Sequence, residues 1–208
     1  MRNPILFVLA LIAGVSFYVT HWFPLDGAAG VAWKGAGVVL LALWAASQAR
    51  NLDGWLITAV LALGALGDVL LETHGLIVGA VAFLAGHLVA VWLYARNRQG
   101  PWLQAIVIAV AVAAISFAIP DTRADAPGIA VYALGLGAMA GMAAISRFPR
   151  DLVALGALLF VISDLLIFSK LGFLKTSAIP GLLIWPTYFT GQAFIAWGVV
   201  TSLAKRGQ

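Results

Sequence analysis

The sequence contains no cysteine, which excludes disulfides, thiolate metal sites and a cysteine nucleophile. Charge is nearly as scarce: 12 Lys or Arg and 8 Asp or Glu among 208 residues make it 10% charged, against about a quarter in a soluble globular domain. So few charges cannot cover a water-facing surface. The apolar stretches also lack the strict alternation of a transmembrane β-barrel. The basic residues stand singly or in pairs beside polar breaks, so the net charge of +4 reads as membrane anchoring and not as a nucleic-acid surface. Neither "GVSFY" nor "AISRF" sets a serine between a base and an acid, which leaves serine hydrolase chemistry without support.

What fills the chain instead is apolar sequence, 63% hydrophobic with mean hydropathy +1.03. Crossing a bilayer takes roughly 20 apolar residues as a helix, and a lipid-facing helix satisfies its own backbone hydrogen bonds. Polar breaks fall at "HWFPLDG" (21–27), "QARNLDG" (48–54), "ETHG" (72–75), "RNRQGP" (96–101), "PDTRADAPG" (120–128), "SRFPRD" (146–151) and "SKLGFLKTSAIPG" (169–181). Seven breaks predict eight helices, over 4–20, 28–47, 54–71, 76–95, 102–119, 128–146, 151–169 and 180–203. The fold class is an all-α polytopic membrane bundle, with residues 1–208 as one integral membrane domain. "GVSFYVTHWFP" offers no small-x-small cleavage site, so the first apolar run reads as a retained helix.

Arg2, Arg50, Arg96, Arg98, Arg147, Arg150, Lys205 and Arg206 fall on one side of this arrangement, 8 in all, and Lys34, Arg123, Lys170 and Lys175 on the other, 4 in all. That excess predicts cytoplasmic termini, and the loop-poor design suits a bacterial inner membrane. Helices 3 and 7 then run the same way. "LGALGDVLLETHG" ends one and "LLFVISDLLIFSKLG" the other, with Asp68 and Asp164 lying 96 residues apart. Two parallel four-helix repeats would explain the spacing, and so would accidental likeness.

Polar residues within the spans form a short inventory: Asp68 and, one turn on, Glu72 in helix 3; His87 in helix 4; Ser163 and Asp164 in helix 7; Tyr188 and Gln192, also at i and i+4, in helix 8. An Asp at a helix centre costs about 2.5–3.5 kcal/mol on insertion scales. Two explanations stand. Each Asp cross-links helices through hydrogen bonds, or the pair lines a functional cavity that opens towards the outer leaflet. His87 likewise reads either as a packing residue or as a partner of the carboxylates. No HxxxH, HxxE or CxxC spacing supports a metal site, and none is expected. "GLIVG" (75–79) and "GAMAG" (137–141) have a spacing that permits close helix approach. Trp22, Trp33, Trp55 and Trp102 sit near breaks as interfacial anchors. Pro186 is expected to kink helix 8 and free a carbonyl in the preceding turn.

At "GDVLLE", "GAVAFLAGHLVAVWLY", "ALLFVISDLLIF" and "YFTGQAFIAWG" the chain resembles the YhhN-like family of eight-helix membrane proteins, which includes the animal lysoplasmalogenases. The resemblance covers most of the chain in order and spacing. It implies that Asp68, His87, Asp164, Tyr188 and Gln192 occupy the family's characteristic polar positions. It further implies a hydrolase that cleaves the vinyl ether of lysoplasmalogens, without a cofactor, to a fatty aldehyde and a glycerophospho-alcohol. Asp68 and Asp164 would be the acid and its ionised partner, and His87 would relay protons or orient one of them. Tyr188, Gln192, Ser163 and Glu72 would hold the lysolipid, with Glu72 also reading simply as the interfacial end of helix 3. Lys170 or Lys175 at the outer rim reads as a topological anchor or as a contact for phosphate. Helix 2, rich in Ala and Gly here, departs from the longer or more aromatic helix common in the family, which bears on acyl-chain preference. A different class of function, a proton-coupled transporter or lipid translocator gated by the Asp pair, fits the same residues.

Overall fold

The computed structural model describes residues 3–206, and Arg2 lies outside them. The described chain is all-helical: α1 (Pro4–Phe17, prolonged by a 3₁₀ turn at Tyr18–His21), α2 (Gly27–Gln48), α3 (Leu52–His74), α4 (Leu76–Arg96), α5 (Trp102–Ala118), α6 (Ala126–Ala144), α7 (Leu155–Ser169, entered through a π-helical turn at Arg150–Ala154) and α8 (Ile179–Arg206). Six of these are long and apolar enough to cross a membrane: α1 with its 3₁₀ turn, α2, α3, α4, α6, and α7 with its π turn. The other two depart from that pattern for visible reasons. α5 is apolar but only 17 residues long, and α8, at 28 residues, carries Pro186, Tyr188 and Gln192 through its middle.

The breaks are tighter than the sequence suggests at one place. α3 continues to His74, and Gly75 alone turns the chain into α4. Its φ of +88° is open to glycine and strained for other residues. At the start of α3, Asn51 caps the helix by accepting from Gly54 N at 2.9 Å.

Cross-links tie alternate connections into two ends of the bundle. At one end, Asp53 on α3 accepts from Arg96 (2.8 Å), the last residue of α4, and from Asn97 (2.9 Å) just after it, and Arg147 after α6 donates to Asn97. Arg98 also forms an isolated β-bridge with Ser146. At the other end, Lys34 on α2 meets Glu72 on α3, Pro120 bridges Gly172, and Lys175 Nζ reaches Asp121 at 2.7 Å. Asp121 attracts and hydrogen-bonds that ammonium, so Lys175 holds its proton above the usual lysine range.

Packing follows the small residues. Gly137 and Gly141, the "GAMAG" pair of α6, lie against Ala109 and Ala105 of α5, where an added Cβ would come within 2.8 Å of backbone. That stripe is a helix seam. α8 runs through the interior against α1, α2, α3 and α7. Pro186 leaves the Leu182 carbonyl without its helical donor, and Tyr18 Oη on α1 supplies one at 3.0 Å. One turn away, Trp185 Nε1 donates to Gly14 O at 2.7 Å. Of the expected anchors, Trp22, Trp55 and Trp102 are exposed near helix ends, while Trp33 is partly buried and donates to Ser16.

Candidate functional site

Five helices meet around a polar cluster. Asp68 lies two turns from the end of α3 and is 3% exposed; Asp164 lies one to two turns from the end of α7 and is 5% exposed. An ionisable group so placed is tolerated only with good partners. Each carboxyl has a phenol. Tyr188 Oη on α8 donates to Asp68 Oδ2 at 2.9 Å, and Tyr132 Oη on α6 donates to Asp164 Oδ2 at 2.7 Å.

The two Asp–Tyr pairs are linked to one another through ring contacts. His87 Nε2 on α4 meets Tyr132 Oη at 3.1 Å, and the His87 ring lies edge-on to Phe160 at 5.0 Å between centroids. Phe160 in turn meets Tyr188 at 5.2 Å, and Phe83 closes on both Phe160 and Tyr188. A string therefore runs from Asp164 through Tyr132 and His87, across Phe160, to Tyr188 and Asp68. Asp164 also interacts electrostatically with Tyr188 over this short path. Buried among these rings, the carboxyls lie where charge interactions are stronger than in water.

Gln192, one turn along α8 from Tyr188, donates to Tyr188 Oη at 3.4 Å. It fits because α3 has glycine at position 64, where a Cβ would stand 2.6 Å from Gln192 Nε2. Asp68, His87, Asp164, Tyr188 and Gln192, the five positions that the sequence singles out most strongly, are thus gathered in one buried cluster.

Glu72 and Ser163 lie apart from it. Glu72, its side chain 43% exposed, holds Lys34 at 2.5 Å at the rim. Lys34 interacts electrostatically with Asp68 as well, from the Glu72 side of α3. Ser163 points to α8 and donates to the Ile184 carbonyl at 3.1 Å, close to the Pro186 turn. Lys175, considered from sequence as a phosphate contact, is engaged by Asp121. Among the described residues, no three His, Asp or Glu side chains come together as a metal site requires.

Tyr132 is absent from the sequence inventory, as is Tyr94, buried on α4 two turns beyond His87. A signal for both existed. The chain has only four tyrosines, and a tyrosine in the middle of an apolar span needs a partner for its hydroxyl. The surroundings of the two carboxyls do not follow the 96-residue offset: Trp92 and Ala36 stand where a repeat would place counterparts of Tyr188 and Tyr132.

A sequence model of the YhhN family matches residues 29–199. No curated protein and no solved structure matches the chain.

Proposed function

The chain belongs to the YhhN family, and on that premise we propose that it is a membrane-embedded hydrolase that cleaves the vinyl ether of lysoplasmalogen-type lysolipids. The observation that carries this reading is the pair of buried carboxyls, Asp68 and Asp164, each held by a phenol in one cluster of aromatic residues.

A vinyl ether is cleaved by protonation at carbon. One carboxyl gives its proton to the β-carbon of the alkenyl group, and the electron pair of the double bond forms the new C–H bond. An oxocarbenium ion results at the α-carbon. Water adds there and loses a proton to a base, and the hemiacetal collapses to a fatty aldehyde and the glycerophospho-alcohol. Such a site needs one carboxyl protonated and one ionised. The ionised partner stabilises the cation and receives the proton of the attacking water, as paired carboxylates do in glycoside hydrolysis.

Each residue then has a task. Tyr132 and Tyr188 orient the two carboxyls, His87 fixes Tyr132, and Gln192 supports Tyr188. At the rim, Lys34 is a cation that interacts with Asp68, and a head-group phosphate would compete there with Glu72. Both carboxyls are covered, so substrate reaches them only when helices part. The turn around Pro186, whose carbonyls are held by the side chains of Tyr18 and Ser163, is a place where α8 can yield.

The direct test is to purify the protein, supply lysoplasmalogen and assay the aldehyde, with Asp68→Asn and Asp164→Asn beside the wild type. Aldehyde from the wild type in detergent, lost in both variants, is expected. A folded wild type that makes none, or full activity in both variants, overturns the reading. Activity in detergent also separates an enzyme from a transporter, which would move substrate unchanged along a proton gradient.

A further inference from the structure

A small cavity of about 10 Å³ lies beside the cluster, on the side away from the Lys34 rim, bounded by His87, Ala90 and Tyr94 of α4, Val60 of α3, Met139 of α6 and Gln192 of α8. That space is close to the least that holds one water molecule. An apolar void of this size stays dry, but two of the residues that line this one carry buried polar atoms without a partner. Tyr94 Oη and Gln192 Oε1 are both fully buried, and neither has a hydrogen-bond partner in the protein. One is a donor and the other an acceptor, and their residues line the same cavity as the His87 ring.

We infer that this cavity is a binding site for a single internal water, which accepts from Tyr94 Oη and donates to Gln192 Oε1 beside His87. Leaving two such groups unpaired in the interior is costly, and buried waters typically make about three hydrogen bonds to groups of this kind. The position gives the water a second consequence. Gln192 belongs to the Asp68 string through Tyr188, and His87 belongs to the Asp164 string through Tyr132. Both side chains border this cavity, so the water joins the two strings at their ends remote from the carboxyls. Tyr94, which touches neither carboxyl, is thereby a positioning residue. It seats the water that supports Gln192 and His87. The catalytic meaning of that link rests on the hydrolase reading above, whereas the water site itself does not.

Tyr94→Phe separates the possibilities, because it removes one oxygen and keeps the ring. With a bound water, the hydroxyl has a partner and its loss lowers the melting temperature of the detergent-solubilised protein by several degrees. In a dry cavity the hydroxyl is an unpaired burden, and Phe leaves the melting temperature unchanged or raises it. A density map at about 2 Å supplies the second measurement. The expected result is a water peak within hydrogen-bond distance of both Tyr94 Oη and Gln192 Oε1 in the wild type, lost or displaced in Tyr94→Phe. No wild-type peak in a map that resolves other buried waters, or a melting temperature that does not fall, overturns the inference. Failure of the wild type to release aldehyde overturns the hydrolase reading alone, since the melting and density results do not depend on turnover.

Discussion

Tyr132 on α6 donates to Asp164 on α7 across 2.7 Å, and with the same oxygen it meets His87 at 3.1 Å. One phenol therefore sets the direction of a carboxyl and of an imidazole together. Asp68 has no such branch. Its phenol, Tyr188, is backed by an amide, Gln192, at 3.4 Å. Two carboxyls with differently built supports suit chemistry in which one gives a proton and the other stays ionised.

Replacing Tyr132 by Phe removes that orientation and leaves the ring against His87 and Phe168. On the proposed hydrolysis the expected outcome is a drop in kcat of about 10- to 100-fold with KM little changed, since the loss would fall on the proton-transfer step. Asp164→Asn is expected to cost more, on the order of 1,000-fold. Steady-state aldehyde release from lysoplasmalogen measures both, and a Tyr132→Phe enzyme with wild-type kcat would remove the phenol from the mechanism.

Much of this arrangement was legible in the sequence, and the part that was not has a physical cause. Helix ends coincide with Gly, Pro and charge, so seven breaks located eight helices, with boundaries off by at most a few residues. Asp68, Asp164, His87 and Gln192 stand out because their burial is costly in apolar surroundings. Tyr132 and Tyr94 do not, because a tyrosine ring counts as apolar and neither has a polar neighbour one turn away on its helix, as Tyr188 has in Gln192. Glu72 looked like a member of the cluster by its i+4 spacing from Asp68. Its actual partner, Lys34, is 38 positions earlier, and only the packing of α2 on α3 joins them.

Gly64 is a sharper test of the packing around Gln192. A methyl group at position 64 would sit 2.6 Å from Gln192 Nε2 and 3.6 Å from Tyr188 Oη. Gln192 is fully buried and has little room to retreat, so Gly64→Ala forces α3 from α8 or turns the amide. A loss of about 1–3 kcal/mol is expected, together with reduced activity per folded molecule because Tyr188 shifts with Gln192. Thermal melting and the aldehyde assay read the two effects separately, and wild-type values in both would contradict the close approach.

At the rim, Lys34→Met breaks the ion pair with Glu72. Glu72 is well exposed, so the pair contributes at most about 1 kcal/mol to stability and the melt should hardly move. The kinetic effect is expected in KM, with a rise of about 5- to 20-fold for a lysolipid that carries phosphate. A vinyl ether analogue without phosphate should bind the variant and the wild type alike. Equal KM changes for the two substrates would show that Lys34 does not meet the head group.

Asn97 allows stability to be varied away from the two carboxyls. Its amide nitrogen donates to Asp53 Oδ2 and to Leu93 O, both at 2.9 Å, and its amide oxygen accepts from Arg147 Nε. The contacts to Asp53 and Arg147 bind the α4–α5 and α6–α7 connections to the start of α3, at the end of the bundle opposite Lys34, and the third closes the end of α4. Asn97→Ala deletes them together and weakens the support of two charged groups. Hydrogen bonds to charged partners contribute more than neutral ones, so a loss of about 2–4 kcal/mol is expected. Asn97→Asp retains the shape but sets a second carboxylate against Asp53 in place of a donor, and should also melt early. Neither change touches Asp68, Asp164 or their phenols, so kcat per folded molecule is expected to stay at the wild-type value. A thermal melt run beside the aldehyde assay tests the separation: a fall in kcat without a fall in melting temperature would mean that the two ends of the bundle are coupled.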